Sequence, residues 1–325
     1  MDVRVHMAHQ TATGPPVWDH GLHRDLVARC DRLDPVVTAV VHPCDPASLA
    51  GAVEAAEARL IEPVLVGPEA KIRAAATLAG LDISRFRIVP TEHSHAAAAR
   101  AVAMVRAGEA AMLMKGSLHT DELMREVVSS ETGLRTARRV SHAFLMDVPN
   151  YPRPLLITDA AINVTPDLEA KADIVQNAID LAHVLGLAMP RVAIVSAVET
   201  VTPKLPSTID AAALCKMADR GQITGGMVDG PLALDNAVSP EAAREKGIRS
   251  CVAGMADILV VPDLESGNML VKQLTFLAGG VGAGVVLGAR VPIILTSRAD
   301  SEASRVASCA IGVLMVNHPR TSVAA

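Results

Sequence analysis

Two places in the chain put basic side chains and a hydroxyl at the end of a short apolar run, an arrangement suited to a phosphoryl or carboxylate group. In VPIILTSRADS, Val291 to Ser301, the residues Ile293, Ile294 and Leu295 predict a strand, with Pro292 at its start where a missing N–H is tolerated. The following SEASRVASCAIGVL has helical spacing, so Ser297 and Arg298 fall at a strand-to-helix turn. Open α/β sheets bind ligands at the carboxyl ends of their strands. A planar guanidinium beside a hydroxyl and a helix N-terminus can grip an anion by bidentate hydrogen bonds and the helix dipole. An Arg that only caps or pairs within a surface loop is the other reading of this segment taken alone.

The second place, AAMLMKGSLHTDELMREVV from Ala110 to Val128, repeats the plan. Met112 to Met114 predict a strand, Lys115, Gly116 and Ser117 the turn, and Thr120 or Asp121 the cap of a helix whose apolar face is Leu123, Val127 and Val128. Arg125 lies one turn in and can lean back toward the helix N-terminus, where anions collect. Lys-Gly-Ser alone is also an ordinary turn with a solvated lysine. Two such turns in one chain strengthen the anion reading.

The elements that would position these groups follow a β-α-β rhythm. Short apolar runs at Val36–Val41, Val64–Val66, Arg87–Val89 and Met112–Met114 alternate with Ala-rich helical segments. Further strands are expected at Leu155–Ile157, Val192–Val195, Ile223–Val228, Ile258–Val261 and Val285–Leu287. Helix starts are marked by Asp45-Pro46, Gly67-Pro68-Glu69 and Ser239-Pro240-Glu241. The turn Glu265-Ser266-Gly267-Asn268 is expected to open a helix, Met269 to Leu277, with room for a polar ligand group or simply a cap. In DVPNYPRP, Asp147 to Pro154, three prolines within six residues mark a domain boundary.

Composition narrows the function classes. The 325 residues are 50% hydrophobic, enough for two domains with a large core. Aromatics are only 2%, with one Trp18 and one Tyr151, so stacking of bases on aromatic platforms is not expected. The net charge of -5 argues against nucleic acid or an anionic membrane as partner. Five cysteines without C-x-x-C spacing suggest neither a disulfide framework nor a zinc ribbon, and favour the cytoplasm. No signal-peptide core or membrane-length apolar run is visible, and Met1 to Pro16 reads as a loose tail. His20 with His23, and His93 with His95, lack the spacing and acidic company of a zinc site; no metal is expected. Met104, Met112, Met114, Met255 and Met269 read as core filler. Gly279, Gly280, Gly282 and Gly284 precede a strand instead of following one, so a dinucleotide loop is excluded.

From about residue 110 onward the sequence resembles the phosphate acetyltransferase and phosphate butyryltransferase family. The resemblance is carried, in order, by MKGSLHTDELMR (Met114 to Arg125), GLRTARRVSHAFLMDVP (Gly133 to Pro149) and LLITDAAINVTPDLEAKADIVQNAIDLA (Leu155 to Ala182). It continues through VSAVETVTPKLPSTIDAAAL (Val195 to Leu214), GQITGGMVDGPLALDNAVS (Gly221 to Ser239), VVPDLESGNMLVKQL (Val260 to Leu274) and PIILTSRADS (Pro292 to Ser301). It also extends to the acetyltransferase part of bifunctional enoyl-CoA hydratase/phosphate acetyltransferases. What it implies is reversible transfer of a short acyl group between coenzyme A and phosphate. The implied fold is α/β: two α/β/α domains with an interdomain cleft, laid out like isocitrate and isopropylmalate dehydrogenases, in a homodimer joined through the second domain. Residues 1–147 with 286–325 would form the first, discontinuous domain and 148–285 the second.

On that resemblance, Arg298 is expected at the phosphoryl group and acyl carbonyl, Ser297 at the tetrahedral oxyanion, and Lys115, Gly116, Ser117, Thr120 and Arg125 around the phosphate. Glu265, Gly267 and Asn268 are expected beside coenzyme A, with Asp159 and Asn163 as further polar groups of the second domain. Coenzyme A is then a substrate, and no tightly bound cofactor is implied. Acetyltransferases of the family place an Asp six residues after the Arg, whereas this chain has Ser304; Asp300 is the nearest carboxylate, a candidate base or a helix cap, with solvent as the third option. Two other classes fit less well: a metal- and NAD-dependent decarboxylating dehydrogenase, whose clustered aspartates are missing, and an acyl-CoA-binding regulator without turnover.

Overall fold

The computed structural model describes residues 21–295 and 300–318. The predicted strand-helix alternation gives α1 (Leu22–Cys30), β1 (Val36–Val41), α2 (Pro46–Glu57), β2 (Ile61–Gly67), α3 (Glu69–Ala79), β3 (Arg87–Pro90), α4 (Ser94–Arg106), β4 (Met112–Lys115) and α5 (Thr120–Val127). Next come β5 (Ser141–Asp147), β6 (Leu155–Thr158), α6 (Leu168–Val184), β7 (Arg191–Val195), α7 (Pro206–Asp219) and β8 (Met227–Leu232). The chain then runs through α8 (Leu234–Val238), α9 (Pro240–Glu245), β9 (Ile258–Val260), α10 (Leu264–Leu277), β10 (Val281–Leu287), β11 (Ile293–Ile294) and α11 (Glu302–Asn317).

The strands form one mixed α/β sheet in the order β3-β2-β1-β4-β11-β10-β5-β6-β9-β7-β8. Both flanks are parallel, as near-continuous apolar strands under helices should be. The centre is antiparallel: β10 runs against β11 and β5, and β5 runs against β6. These three reversals turn the strand sense between the flanks. In the first flank the chain steps from β1 outward to β2 and β3, then returns to lay β4 on the other side of β1. The gap between the carboxyl ends of β1 and β4 is therefore a topological switch point, the place where such sheets hold ligands. Val41 sits opposite both Val66 and Lys115, so β1, β2 and β4 end level there.

Several expectations are corrected. β5 was not anticipated, because SHAFLMD mixes polar and apolar residues without strict alternation. The strand expected at Val285–Leu287 begins at Val281, so Gly282 and Gly284 lie inside it. Ile223 stands outside β8, which starts at Met227. The helix expected from Met269 starts at Leu264: Asp263 caps it by accepting from the Ser266 N–H at 2.8 Å, so Glu265 to Asn268 are its first turn. Pro68 precedes the first residue of α3 instead of occupying it. Met104, Met112 and Met114 fill the core, whereas Met269 is 64% exposed. The Met1 to Pro16 segment, Trp18 and His20 lie outside the described residues.

β5 and β10 also bury the least comfortable group of the core. His142 on β5 is 1% exposed, its ring centroid lies 4.4 Å from that of Phe144, and its Nδ1 has no hydrogen-bond partner among the described residues. Burial pushes the imidazole down to about 3, because the charged form has no water and no counter-charge. Below the ordinary histidine value the unfolded chain takes up a proton that the folded chain refuses. Stability from this group is therefore intact above about pH 6.5 and falls as the pH drops toward 3, by up to about 1.4 kcal/mol per pH unit. Urea unfolding of His142→Phe should show a shallower loss of stability between pH 6.5 and 4.5 than the unaltered chain. Equal slopes would contradict this.

Candidate functional site

The switch point is closed by backbone before any side chain is considered. The Gly116 N–H donates to the Val41 carbonyl at 2.9 Å, and the Ser117 N–H donates to the His42 carbonyl at 2.9 Å. A Cβ on Gly116 would stand 2.4 Å from the Val41 oxygen and 2.6 Å from the His42 oxygen. Only glycine permits the approach. The Ser117 hydroxyl also donates to the His42 carbonyl, at 2.8 Å, and accepts from the Cys44 N–H at 3.3 Å. The His42 Nδ1 lies 3.1 Å from the same hydroxyl oxygen. His42 itself has φ 56°, a left-handed conformation that favours glycine and that histidine tolerates better than most residues.

Above this knot the half-buried Lys115 donates to the Gly116 carbonyl at 3.2 Å. α5 starts at Thr120, so Thr120 is its first residue and not its cap; His119 holds the cap position and makes no side-chain capping bond. The cap side chain thus offers the first amides of α5 no acceptor, although the Glu122 carboxylate accepts from the His119 N–H. Leu123 and Val127 are buried as expected, but Val128 is 42% exposed because the helix has ended. Arg125 is exposed, with no hydrogen bond or ion pair among the described residues.

In the second flank the turn after β6 is built on Asp159. Its buried carboxylate accepts from the N–H groups of Ala161, Ile162 and Asn163 and from the Asn163 side-chain amide at 2.7 Å. Burial pushes its carboxyl up, and these four donors oppose that shift. The same Asn163 amide donates to the Val140 carbonyl at 2.9 Å, so Asn163 ties this turn to the start of β5. Gly267 packs directly on Ala160, where a Cβ would come within 2.9 Å of the alanine methyl. Asn268 donates to the Ala160 carbonyl at 3.3 Å, while Glu265 is exposed. Ile162 packs against the cluster containing Leu118, Leu123 and Val127, which sets the Asp159 turn beside α5.

Ser297 and Arg298 lie outside the described residues. The described residues on either side of them have defined partners. β11 places Ile294 opposite Met114, one residue before Lys115. Further along the chain, Arg305 forks onto Glu54 at 2.9 and 2.7 Å and donates to the Asp300 carbonyl at 2.6 Å. Ser301, not Asp300, caps α11, accepting from the Ser304 N–H at 3.2 Å; its hydroxyl donates to Ser304 Oγ at 3.1 Å. Among the described residues no cluster of His, Cys, Asp or Glu could hold a metal ion. No helix there is long and apolar enough to cross a membrane. Burial pushes the Cys44 thiol up to about 11, so it stays protonated. His42 was not anticipated; the only signal for it was its place directly after the apolar run Val36–Val41.

Comparison with known proteins adds an independent line. Residues 92–313 match the family described as Phosphate acetyl/butaryl transferase. A phosphate acetyltransferase of Rhizobium meliloti is 65% identical over 297 residues, covering 91% of this chain and 94% of the relative. A phosphate butyryltransferase of Clostridium acetobutylicum is 43% identical, covering 80% and 86%. The crystal structure of a branched-chain phosphotransacylase from Enterococcus faecalis V583 superimposes with a TM-score of 0.76 at 31% identity, covering 87% of this chain and 100% of that one.

The glycine approach sets a direct expectation. Gly116→Ala must push β1 and β4 apart at their carboxyl ends, which should cost about 2 kcal/mol or more and lower the melting temperature by several degrees. An unchanged melting curve would show that the approach is slack.

Proposed function

The chain belongs to the phosphate acetyl/butyryltransferase family, and on that footing we propose that phosphate sits on the Lys115 turn and that coenzyme A reaches it from the side of Asn268. The reaction moves a short acyl group reversibly between coenzyme A and inorganic phosphate. Acyl-CoA and monohydrogen phosphate give acyl phosphate and free thiol: a C–O bond forms as the C–S bond breaks, and one proton passes from phosphate oxygen to sulfur. No redox step occurs. The chemistry needs a cradle for a dianion, donors for the oxyanion of the tetrahedral intermediate, and a proton carrier.

The observation that carries this reading is the glycine turn at the β1–β4 switch point, which opens onto a helix whose cap residue makes no side-chain capping bond. Lys115 and the first amides of α5 at Thr120 hold the phosphate, Arg125 leans in from the next turn, and Gly116 and Ser117 fix the backbone. Arg298 takes the phosphoryl group and acyl carbonyl, and Ser297 the oxyanion; these two roles rest on the sequence and the family resemblance. Glu265, Gly267 and Asn268 flank coenzyme A, supported by the packing of α10 on the Asp159 turn. The division into a first domain of 1–147 with 286–325 and a second of 148–285, with the substrate cleft between them, is supported by the β5–β10 pair lying at that seam. Five unpaired cysteines suit the reducing cytoplasm.

A homodimer through the second domain is supported by α10. Met269, Phe276 and Leu277, spaced seven and eight residues apart on one helix face, are 64%, 69% and 81% exposed. Light scattering at micromolar concentration should give a dimer, and Phe276→Glu with Leu277→Glu a monomer; a monomeric unaltered chain would contradict this.

Acetyl-, propionyl-, butyryl- and acetoacetyl-CoA, each offered with phosphate, should release thiol at rates that identify the acyl chain. Absence of release from all four would remove the reading. Arg298→Lys keeps the charge and loses the fork, so turnover should fall by roughly 10²-fold or more with the melting temperature unchanged. Turnover close to that of the unaltered chain would take Arg298 out of the site.

A further inference from the structure

The proton carrier is the part of the reaction that the sequence leaves open, since Ser304 stands where acetyltransferases of the family have an Asp. The knot at the switch point contains a group suited to the task. The Ser117 hydroxyl oxygen and the His42 carbonyl oxygen are 2.8 Å apart, and two oxygens at that distance need the hydroxyl proton between them. With its one proton used, the Ser117 oxygen can only accept from His42 Nδ1 at 3.1 Å. The neutral ring therefore carries its hydrogen on Nδ1, and its lone pair sits on Nε2. Among the described residues Nε2 has no hydrogen-bond partner.

The geometry points to His42 Nε2 as the proton carrier of the acyl transfer, an inference that rests on the acyl-transfer reading. In the thiol-acylating direction, Nε2 takes the proton of the coenzyme A thiol. The sulfur then attacks the acyl carbon, the C–O bond to phosphate breaks, and the imidazolium returns the proton to the departing phosphate oxygen. In the reverse direction Nε2 takes the phosphate hydroxyl proton and hands it to the leaving thiolate. The ring ends each turnover as it began.

Position and charge support this. His42 follows the carboxyl end of β1, one strand spacing of about 4.8 Å from the Lys115 turn on β4. The left-handed backbone at φ 56° and the bond to Ser117 fix the ring before substrate arrives. Burial and the charge of Lys71 on α3 hold the imidazole below the ordinary histidine value; Glu122 on α5 and Asp45 ahead of α2 oppose them. Lys115 on β4 is the other charge at the knot and Cys44 the neighbouring thiol. His42 is thus neutral at pH 7, the form a base requires. As the pH falls through its lowered value it gains a proton and the lone pair is lost.

The test is the pH dependence of turnover with saturating acetyl phosphate and coenzyme A. The unaltered chain should rise below pH 6.5 and level off above it, with no further rise to pH 8.5. His42→Asn keeps a donor toward Ser117 and tolerates the left-handed backbone, but removes Nε2. It should lower turnover by about 10²-fold or more, leave both KM values within about threefold, and abolish the limb below pH 6.5. The inference is overturned by an unaltered chain whose rate climbs to pH 8.5 with the free thiolate, by a flat profile, or by a folded His42→Asn that keeps the acid limb or full turnover. The profile of the unaltered chain decides even if the variant does not fold. Failure of the acyl-transfer reading is distinct, because no thiol would then be consumed at any pH.

Discussion

The antiparallel ladder between β5 and β10 is the constraint on which the rest of the sheet depends. Seven residue pairs, from Asp147 with Val281 to Ser141 with Leu287, join two parallel flanks that otherwise belong to different stretches of chain. Its side chains are fitted across the pair. A Cβ at Gly282 would stand 2.7 Å from the Met146 sulfur, and one at Gly284 would stand 3.0 Å from the His142 ring. Large residues on one strand lie over glycines on the other, which lets the two strands pair closely at the centre of the sheet. The position of β11 follows from its pairing with β10.

Much of this was legible in the sequence, and the failures share a cause. Parallel strands buried on both faces read as plain apolar runs, so β1, β4 and β6 stood out. The central pair hides because each strand makes sense only against the other: the glycines of β10 look like a loop until Met146 and His142 lie across them. The Lys115 turn was visible because lysine, glycine and serine follow one another. His42 was not, since its tautomer is set by a serine 75 residues away. Position-specific chemistry of that kind is created by strand register, and no local pattern announces it.

The site itself is economical in charge. Lys115 and His42 meet at one turn just ahead of α5, while the buried carboxylate of Asp159 is occupied by four N–H donors of its own turn. On the proposed reading an anionic substrate there meets helix dipoles and the Lys115 cation, with Asp121 and Glu122 as acids on the first turn of the same helix. Glu54 contributes from a distance by gripping Arg305, which in turn holds the Asp300 carbonyl. An ion pair to α2 thus fixes Asp300 and the start of α11.

The sheet order also has a consequence for the growing chain. β4 lies between β1 and β11, and β11 is a two-residue strand far downstream of β4 in the chain. While the ribosome is still extending the polypeptide, Met112 to Lys115 present an apolar edge with unpaired amides, and β5 waits in the same way for β10. Such edges invite pairing with neighbouring nascent chains. The ordering of contacts, with its long sequence separations, predicts slow closure and a need for shelter during synthesis. The glycine-rich β10, poor in apolar bulk at its start, is a strand that can arrive late without sticking to the wrong partner.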